Sequence, residues 1–285
     1  MKGDMRQLAL PGYELADYVK ESIAFIRQHE PQEGFFLGFS GGKDSIVSDE
    51  LLKMSGVKYV AFYSCTRIDP PEILSFIKKY YPTVEWLFPK ENMWSAIQRK
   101  SPPLRMQRWC CDVLKKEPTK EHPLKNRVMG IRAEESVRRA KRPRIDKFYG
   151  QTTYKPIFKW PEWAIWEFIE QRGLPYPSLY DEGYGRIGCV VCPFILGASE
   201  GKTRNRNRSM SRWPGIWKAY EHAVKRWFIS KRFDVLRDNQ HCETPEDYWQ
   251  AYLNGFEQVK HATDRPNLSC RPLHQPGPGH SAGAV

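Results

Sequence analysis

Ser40-Gly41-Gly42-Lys43-Asp44-Ser45 is the stretch of this chain best suited to chemistry. Its glycines permit positive φ and a close approach to an anion. The successive N–H groups and the start of a following helix supply partial positive charge. Ser40 and Ser45 add hydroxyl donors, and Lys43 adds an ammonium. A Gly-Gly pair alone marks an ordinary turn. Here an apolar run, Phe35 to Phe39, leads in and a helical pattern leads out, so the six residues read as a turn that holds a nucleotide phosphate or pyrophosphate. The Walker pattern is absent, since no second glycine precedes a Lys-Ser pair at the required spacing.

The cysteines form the second group. Cys110 and Cys111 are adjacent, Cys189 and Cys192 form a Cys-x-x-Cys ahead of Pro193, and Cys65, Cys242 and Cys270 are scattered. Seven cysteines without a secretory signal argue against a disulfide framework. A tandem pair suits zinc poorly, because zinc sites space each ligand pair by two to four residues. An iron-sulfur cube takes one thiolate per iron, so neighbouring cysteines can serve different corners, with Trp109, Pro193 and Phe194 as an apolar shell. The spacing is equally met if Cys110 and Cys111 are small buried residues while Cys189 and Cys192 act as a redox pair or half of a zinc site.

These groups need a scaffold. Residues 13–28 carry Leu15, Tyr18, Val19, Ile23 and Ile26 at helical spacing, and Val47, Leu51, Leu52 and Met54 line a second helix that Gly56 can close. Buried-strand patterns at Val57–Tyr63, Val84–Phe88 and Arg127–Ile131 alternate with a helix at Ile73–Tyr80. The alternation predicts an α/β fold, a Rossmann-like parallel sheet with helices on both faces and ligands at the carboxyl ends of its strands. Pro161 can start a further helix from Glu162 to Arg172. The expected organisation is an N-terminal helix over 1–30 and a nucleotide-binding domain with the cysteines over 31–198. A basic helical extension over 199–262 and a tail over 263–285, rich in Pro, Gly and His and expected to be disordered, complete it.

Hydrophobic residues make up 40% of the 285, which excludes disorder of the whole chain. No apolar run reaches membrane length and the start lacks a signal-peptide core, so a cytoplasmic protein without a membrane partner is expected. Lysine and arginine exceed acids by 45 − 33 = 12, which favours a polyanionic partner. The segment 202–227 is the candidate surface for DNA or tRNA. Lys202, Arg204, Arg206, Arg208, Arg212, Lys225 and Arg226 would meet phosphates, and Trp213, Trp217, Tyr220 and Trp227 would stack on unpaired bases. Those aromatics also follow the spacing of a buried helix face. A second basic run, Arg138 to Arg144, faces either the nucleotide phosphates or solvent.

From residue 34 to about 195 the chain resembles the phosphoadenosine phosphosulfate reductase family of the adenine nucleotide alpha-hydrolase (PP-loop) superfamily. The blocks that carry the likeness are the 40–45 loop and Cys110-Cys111 with Lys115, Lys116 and Pro118. Then come Gly130-Ile131-Arg132 with Glu135, Ser136 and Arg139, Lys155-Pro156-Ile157, and the Trp163-Trp166 helix. The last are Leu174-Pro175-Tyr176, Leu179-Tyr180-Asp181, Gly183-Tyr184 and Ile187-Gly188-Cys189-Val190-Val191-Cys192. The resemblance implies a 4Fe-4S cluster on Cys110, Cys111, Cys189 and Cys192. It also implies an adenine nucleotide gripped by the loop, Gly130 and Arg132.

Two departures separate this chain from the sulfonucleotide reductases of the family. The C-terminal Glu-Cys-Gly-x-His motif that carries their nucleophile is missing, and Ser64-Cys65-Thr66 stands where they share an Asp-Thr-Gly turn. The intact loop is instead similar to that of ATP pyrophosphatases. The expected function is therefore an adenylating enzyme using ATP with magnesium, releasing pyrophosphate and supporting sulfur transfer to nucleic acid. It resembles the ATP-pyrophosphatase component of DNA phosphorothioation systems, with a cysteine desulfurase as sulfur donor. Lys43, Ser40 and the loop amides would stabilise phosphoryl charge and Asp44 would contact metal, with Lys43, Asp44 and Arg132 as the catalytic residues. The alternatives are a sulfonucleotide reductase that releases sulfite through Cys242 or Cys270, and an accessory nucleic-acid-binding protein regulated by nucleotide.

Overall fold

A computed structural model describes residues 14–148, 150–231 and 242–256. The expected tail over 263–285, and Cys270, lie outside the described residues. The chain divides into two compact units, one formed by residues up to Lys90 together with Cys111–Cys189, the other by Glu91–Cys110 together with Val190 onward.

The first unit is built on a six-stranded sheet. Phe35, Phe36 and Leu37 are all buried, which suits a strand covered on both faces, and they form β1 (Phe35–Gly38) at its centre. β1 pairs in parallel with β2 (Tyr59–Ser64) on one side and β4 (Asn126–Met129) on the other. β3 (Glu85–Leu87) extends the sheet beyond β2, and β6 (Gln151–Tyr154) runs parallel to β4. The order is β3-β2-β1-β4-β6-β5. The chain thus moves outward from β1 to β3 and returns to the other flank of β1. That reversal opens a crevice at the carboxyl ends of β1 and β4, where α/β sheets place ligands.

The expected parallel sheet differs at one edge. β5 (Ile145–Phe148) is antiparallel to β6, joined through Gly150 at φ +70. This hairpin follows the second basic run, three of whose arginines are ion-paired. Arg144 pairs with Glu21 at 2.6 Å and donates to Pro156 O, and Arg139 pairs with Glu135. Only half-buried residues line β6, so its sequence lacks the apolar signal of an inner strand.

Helices fix the sheet. α1 (Leu15–Gln28) buries Leu15, Tyr18, Ser22 and Ile26, one stripe at 3–4 residue spacing. It packs on α2 (Lys43–Ser55) and α8 (Glu162–Gln171), and Trp160 Nε1 donates to Ser22 Oγ at 2.9 Å beneath it. α2 buries Ile46, Val47, Leu51 and Leu52 and ends at Gly56. α3 (Pro71–Tyr80) starts with proline at its first position, where the missing N–H has no cost. Short helical segments are α5 (Trp109–Cys111), α6 (Glu117–Lys120) and α7 (Val137–Ala140), and a π-helical turn spans Asp112–Lys116.

In the second unit α4 (Met93–Lys100), α9 (Glu200–Arg212), α10 (Pro214–Ser230) and α11 (Pro245–Leu253) enclose an aromatic core. Trp217, Tyr220, Trp227 and Phe228 from α10 meet Tyr248, Trp249 and Tyr252 from α11. Burial of an aromatic side chain contributes about 1.5–3 kcal/mol, so this cluster is the main stabilising element of the unit. The finding corrects one expectation. Trp213, Trp217, Tyr220 and Trp227 are core residues and are not presented for base stacking. Arg206 is buried as well, donating to Gly197 O at 3.0 Å and Leu253 O at 2.8 Å. Arg204, Arg208, Arg212 and Arg226 lie on the exposed side of their helices. Among the described residues no helix is long and apolar enough to cross a membrane.

Candidate nucleotide site and cysteine pairs

The 40–45 turn occupies the crevice predicted by the strand order, immediately after β1. Gly41 takes φ +72, and a Cβ there would press on Ile73 and Ile77 of α3. The serines shape the turn from within. Ser45 Oγ donates to Gly42 O at 2.8 Å, Ser40 N donates to Ser45 Oγ at 3.1 Å, and Gly42 N donates to Ser40 Oγ at 3.3 Å.

The loop after β4 meets the turn edge on. A Cβ on Gly130 would stand 2.6 Å from Asp44 O and 3.1 Å from Ser45 N, so only glycine allows the two backbones this approach. Two residues on, Arg132 donates from Nε to Asp44 Oδ1 at 2.6 Å and from Nη1 to Glu134 at 2.5 Å. Arg132 is buried, and burial works against its charge. Asp44, Glu134 and Glu162 outweigh that and hold its pKa above the ordinary arginine value. Arg132 and Asp44, separated by 88 positions, are therefore one ion pair that ties the two loops together.

Lys43 is also buried. Its Nζ lies 3.1 Å from Glu162 Oε1, donates to Gly185 O at 3.1 Å, and stands over the rings of Tyr180 (5.1 Å) and Trp166 (5.6 Å). The Lys43 backbone N–H donates to Tyr180 Oη at 3.0 Å. Glu162, Trp166, Tyr180 and Gly185 were given no role by sequence reasoning. Glu162 had one available signal, its place directly after a helix-starting proline. The structure brings Lys43, Asp44, Arg132 and the 40–45 loop together and surrounds Lys43 with Glu162, Trp166, Tyr180 and Gly185.

The cysteines divide between the units. In the first, Cys189 Sγ lies 3.7 Å from both Asp69 Oδ1 and Thr66 Oγ1, and Asp69 accepts from Thr66 N and Oγ1. Lys115, in the π-helical turn after Cys111, is held above its ordinary pKa by Cys189, against the effect of burial and with Asp69 and Cys111 adding to it. In the second unit Cys110 and Cys192 both act on the buried hydroxyl of Tyr220. All four are thiols outside any disulfide. Among the described residues no group of three or more His, Cys, Asp or Glu side chains is gathered around a single ion position. Cys65 is buried, and burial pushes its thiol up, away from reactivity at neutral pH.

The family model for the phosphoadenosine phosphosulfate reductase domain matches residues 34–194, a span that begins before β1 and ends just past Cys192. The chain belongs to this family. An uncharacterised protein of Methanocaldococcus jannaschii is 28% identical over 226 residues, 74% of this chain and 46% of that protein. The adenosine 5'-phosphosulfate reductase of Allochromatium vinosum is 39% identical over 95 residues, 32% of this chain and 37% of that enzyme. The chain thus spans less than half the length of these curated relatives. Among solved structures, phosphoadenylyl-sulfate reductase from Candida auris aligns over 64% of this chain and 97% of its own, with TM-score 0.47 and 17% identity. The U34-tRNA thiolase of Methanococcus maripaludis, solved with its 4Fe-4S cluster, aligns over 75% of this chain and 79% of its own, with TM-score 0.43 and 15% identity.

Proposed function

We propose that this family member is a cytoplasmic enzyme that binds ATP with magnesium at the 40–45 turn, releases pyrophosphate and supports sulfur transfer to a nucleic acid. The observation that carries the reading is the Arg132–Asp44 pair, which joins an intact phosphate turn to the Gly130 loop at the strand-order reversal. Such a site has fixed donors and fixed cations in a half-buried crevice, the arrangement that stabilises developing phosphoryl charge. In this reading an acceptor oxygen attacks the α-phosphorus and pyrophosphate leaves. The terminal sulfur of a cysteine-desulfurase persulfide then displaces AMP to give an acceptor–S–S–cysteine disulfide, and an external thiol cleaves that S–S bond to free the thiolated acceptor. Loop amides and Lys43 Nζ hold the departing phosphates, and Arg132 keeps Asp44 oriented. Magnesium would neutralise phosphate charge beside Asp44.

The donor chemistry of Cys110, Cys111, Cys189 and Cys192 fits a 4Fe-4S cluster. Four thiols come from one adjacent pair and one Cys-x-x-Cys, a set that can give one thiolate to each iron. The cluster would supply an electron-accepting or sulfur-binding centre. Of the two candidate nucleophiles of the sulfonucleotide-reductase alternative, Cys242 is buried and disulfide-bonded, which argues against it, while Cys270 lies outside the described residues.

Anaerobically purified protein given ATP and magnesium, with and without single-stranded DNA or tRNA, tests the proposal. Pyrophosphate release that rises with nucleic acid and is lost in Lys43→Ala supports it. No release under any of these conditions refutes it.

A further inference from the structure

We infer that the Tyr180 hydroxyl is the resident occupant of the first backbone donor of the phosphate turn, and that an incoming phosphate oxygen enters by exchanging with it. The inference rests on the reading of the 40–45 turn as a phosphate site and concerns how that site is kept when empty.

Lys43 N–H is the first helical amide of α2, one of the orphan donors that make a helix start attractive to anions. Here it is not left to solvent, because Tyr180 Oη accepts from it at 3.0 Å. The same oxygen lies 3.2 Å from the position a Cβ on residue 42 would take. The phenol therefore covers the mouth of the turn, and Gly42 is the residue that gives it room. The Lys43 side chain is engaged by the same stretch of chain. Its Nζ donates to Gly185 O at 3.1 Å and stands 5.1 Å from the centre of the Tyr180 ring. Both phosphate-binding groups of Lys43 are thus engaged by residues 180–185, with Glu162 Oε1 also 3.1 Å from Nζ. Trp166 packs edge-on against Tyr180, with ring centres 5.1 Å apart and planes at 84°, which fixes the phenol in this pose.

The chemistry makes the exchange favourable and selective. A neutral phenol oxygen makes an ordinary hydrogen bond with the amide, whereas a phosphate oxygen makes a charge-assisted one roughly twice as strong. A phosphate displaces the hydroxyl, while water or a neutral ligand gains nothing by doing so. The cost to affinity is the contact given up, equivalent to about a 2- to 10-fold weakening.

The test is Tyr180→Phe, which removes the hydroxyl and keeps the ring against Trp166. Calorimetric titration with inorganic pyrophosphate and with ATP and magnesium should show about 2- to 10-fold tighter binding of both probes in the variant. Amide exchange in the ligand-free protein should show faster exchange at Lys43 N–H. Unchanged or weaker binding in Tyr180→Phe, with wild-type binding still lost in Lys43→Ala, overturns this inference and leaves the phosphate site standing. Absence of binding to either probe in both wild type and Tyr180→Phe overturns the phosphate reading and this inference with it.

Discussion

Replacing Arg132 with methionine removes the one cation shared by Asp44, Glu134 and Glu162. The Arg132 side chain is 4% exposed and Asp44 22%, whereas Glu134 and Glu162 are 45% and 38% exposed and can rehydrate. The loss therefore falls mainly on Asp44. With charge centres about 4 Å apart and an effective dielectric of about 20, the gross attraction is about 4 kcal/mol. Breaking a buried pair by deleting one partner costs about 3–5 kcal/mol, and the hydrated glutamates place this case near 3. Asp44→Asn keeps an acceptor for Arg132 Nε and should cost less, about 1–2 kcal/mol. Urea unfolding of both single variants and the double variant gives the coupling directly. A coupling of about 2 kcal/mol is expected for groups in contact, and one below about 0.5 kcal/mol would refute the claim that this pair ties the two loops together.

Gly130→Ala places a Cβ 2.6 Å from Asp44 O, so the β4 loop and the start of α2 must separate. The expected outcome is a loss of about 1–3 kcal/mol in stability and a larger loss in pyrophosphate binding than in fold, checked by unfolding and calorimetry on one preparation. His122 is held below its ordinary pKa by burial and by Arg127, and its Nδ1 accepts from Leu124 N at 3.2 Å, so the folded state favours the neutral ring. Between the folded pKa and about 6.5 the unfolded chain binds the extra proton. Stability should therefore fall as pH drops through about 6.5, and His122→Gln should flatten that part of the pH profile relative to wild type. Arg206→Met leaves the carbonyl of Gly197 without its Arg206 donor, while Leu253 O keeps the Gly197 N–H at 2.9 Å, and should destabilise the second unit by about 1–3 kcal/mol. Arg204→Ala and Arg226→Ala should instead leave stability nearly unchanged and lower the salt dependence of nucleic-acid binding by about 0.7 per lost single-strand phosphate contact.

Much of the first unit was legible because its signals are local. The fully buried run at Phe35–Leu37, the Gly56 helix end and the helical spacing of Ile73–Tyr80 each declare themselves within a few residues. The 40–45 turn and the Gly130-Ile131-Arg132 block were legible as motifs. Their meeting was not, because it depends on the chain returning to the far flank of β1 after β3. The edge hairpin was missed for the opposite reason, since half-buried threonines and a tyrosine carry no strong period. Glu162, Tyr180 and Gly185 contact Lys43 only after more than a hundred intervening residues have folded, so although Glu162 follows a helix-starting proline and Tyr180 lies in the Leu179-Tyr180-Asp181 block, no local pattern gives them their contact with Lys43. In the basic segment the sequence offered two readings of one pattern. Burial of Trp217, Tyr220 and Trp227 decided between them, since aromatics at spacings of three, four and seven residues line one helix face whether it meets a core or a base.

Pyrophosphate released from ATP and sulfite released from adenosine 5'-phosphosulfate, measured side by side on the same anaerobic preparation, test the central claim most directly. The account predicts pyrophosphate release that disappears in Lys43→Ala and no sulfite above background. Sulfite release that persists in Lys43→Ala, without pyrophosphate, would contradict it.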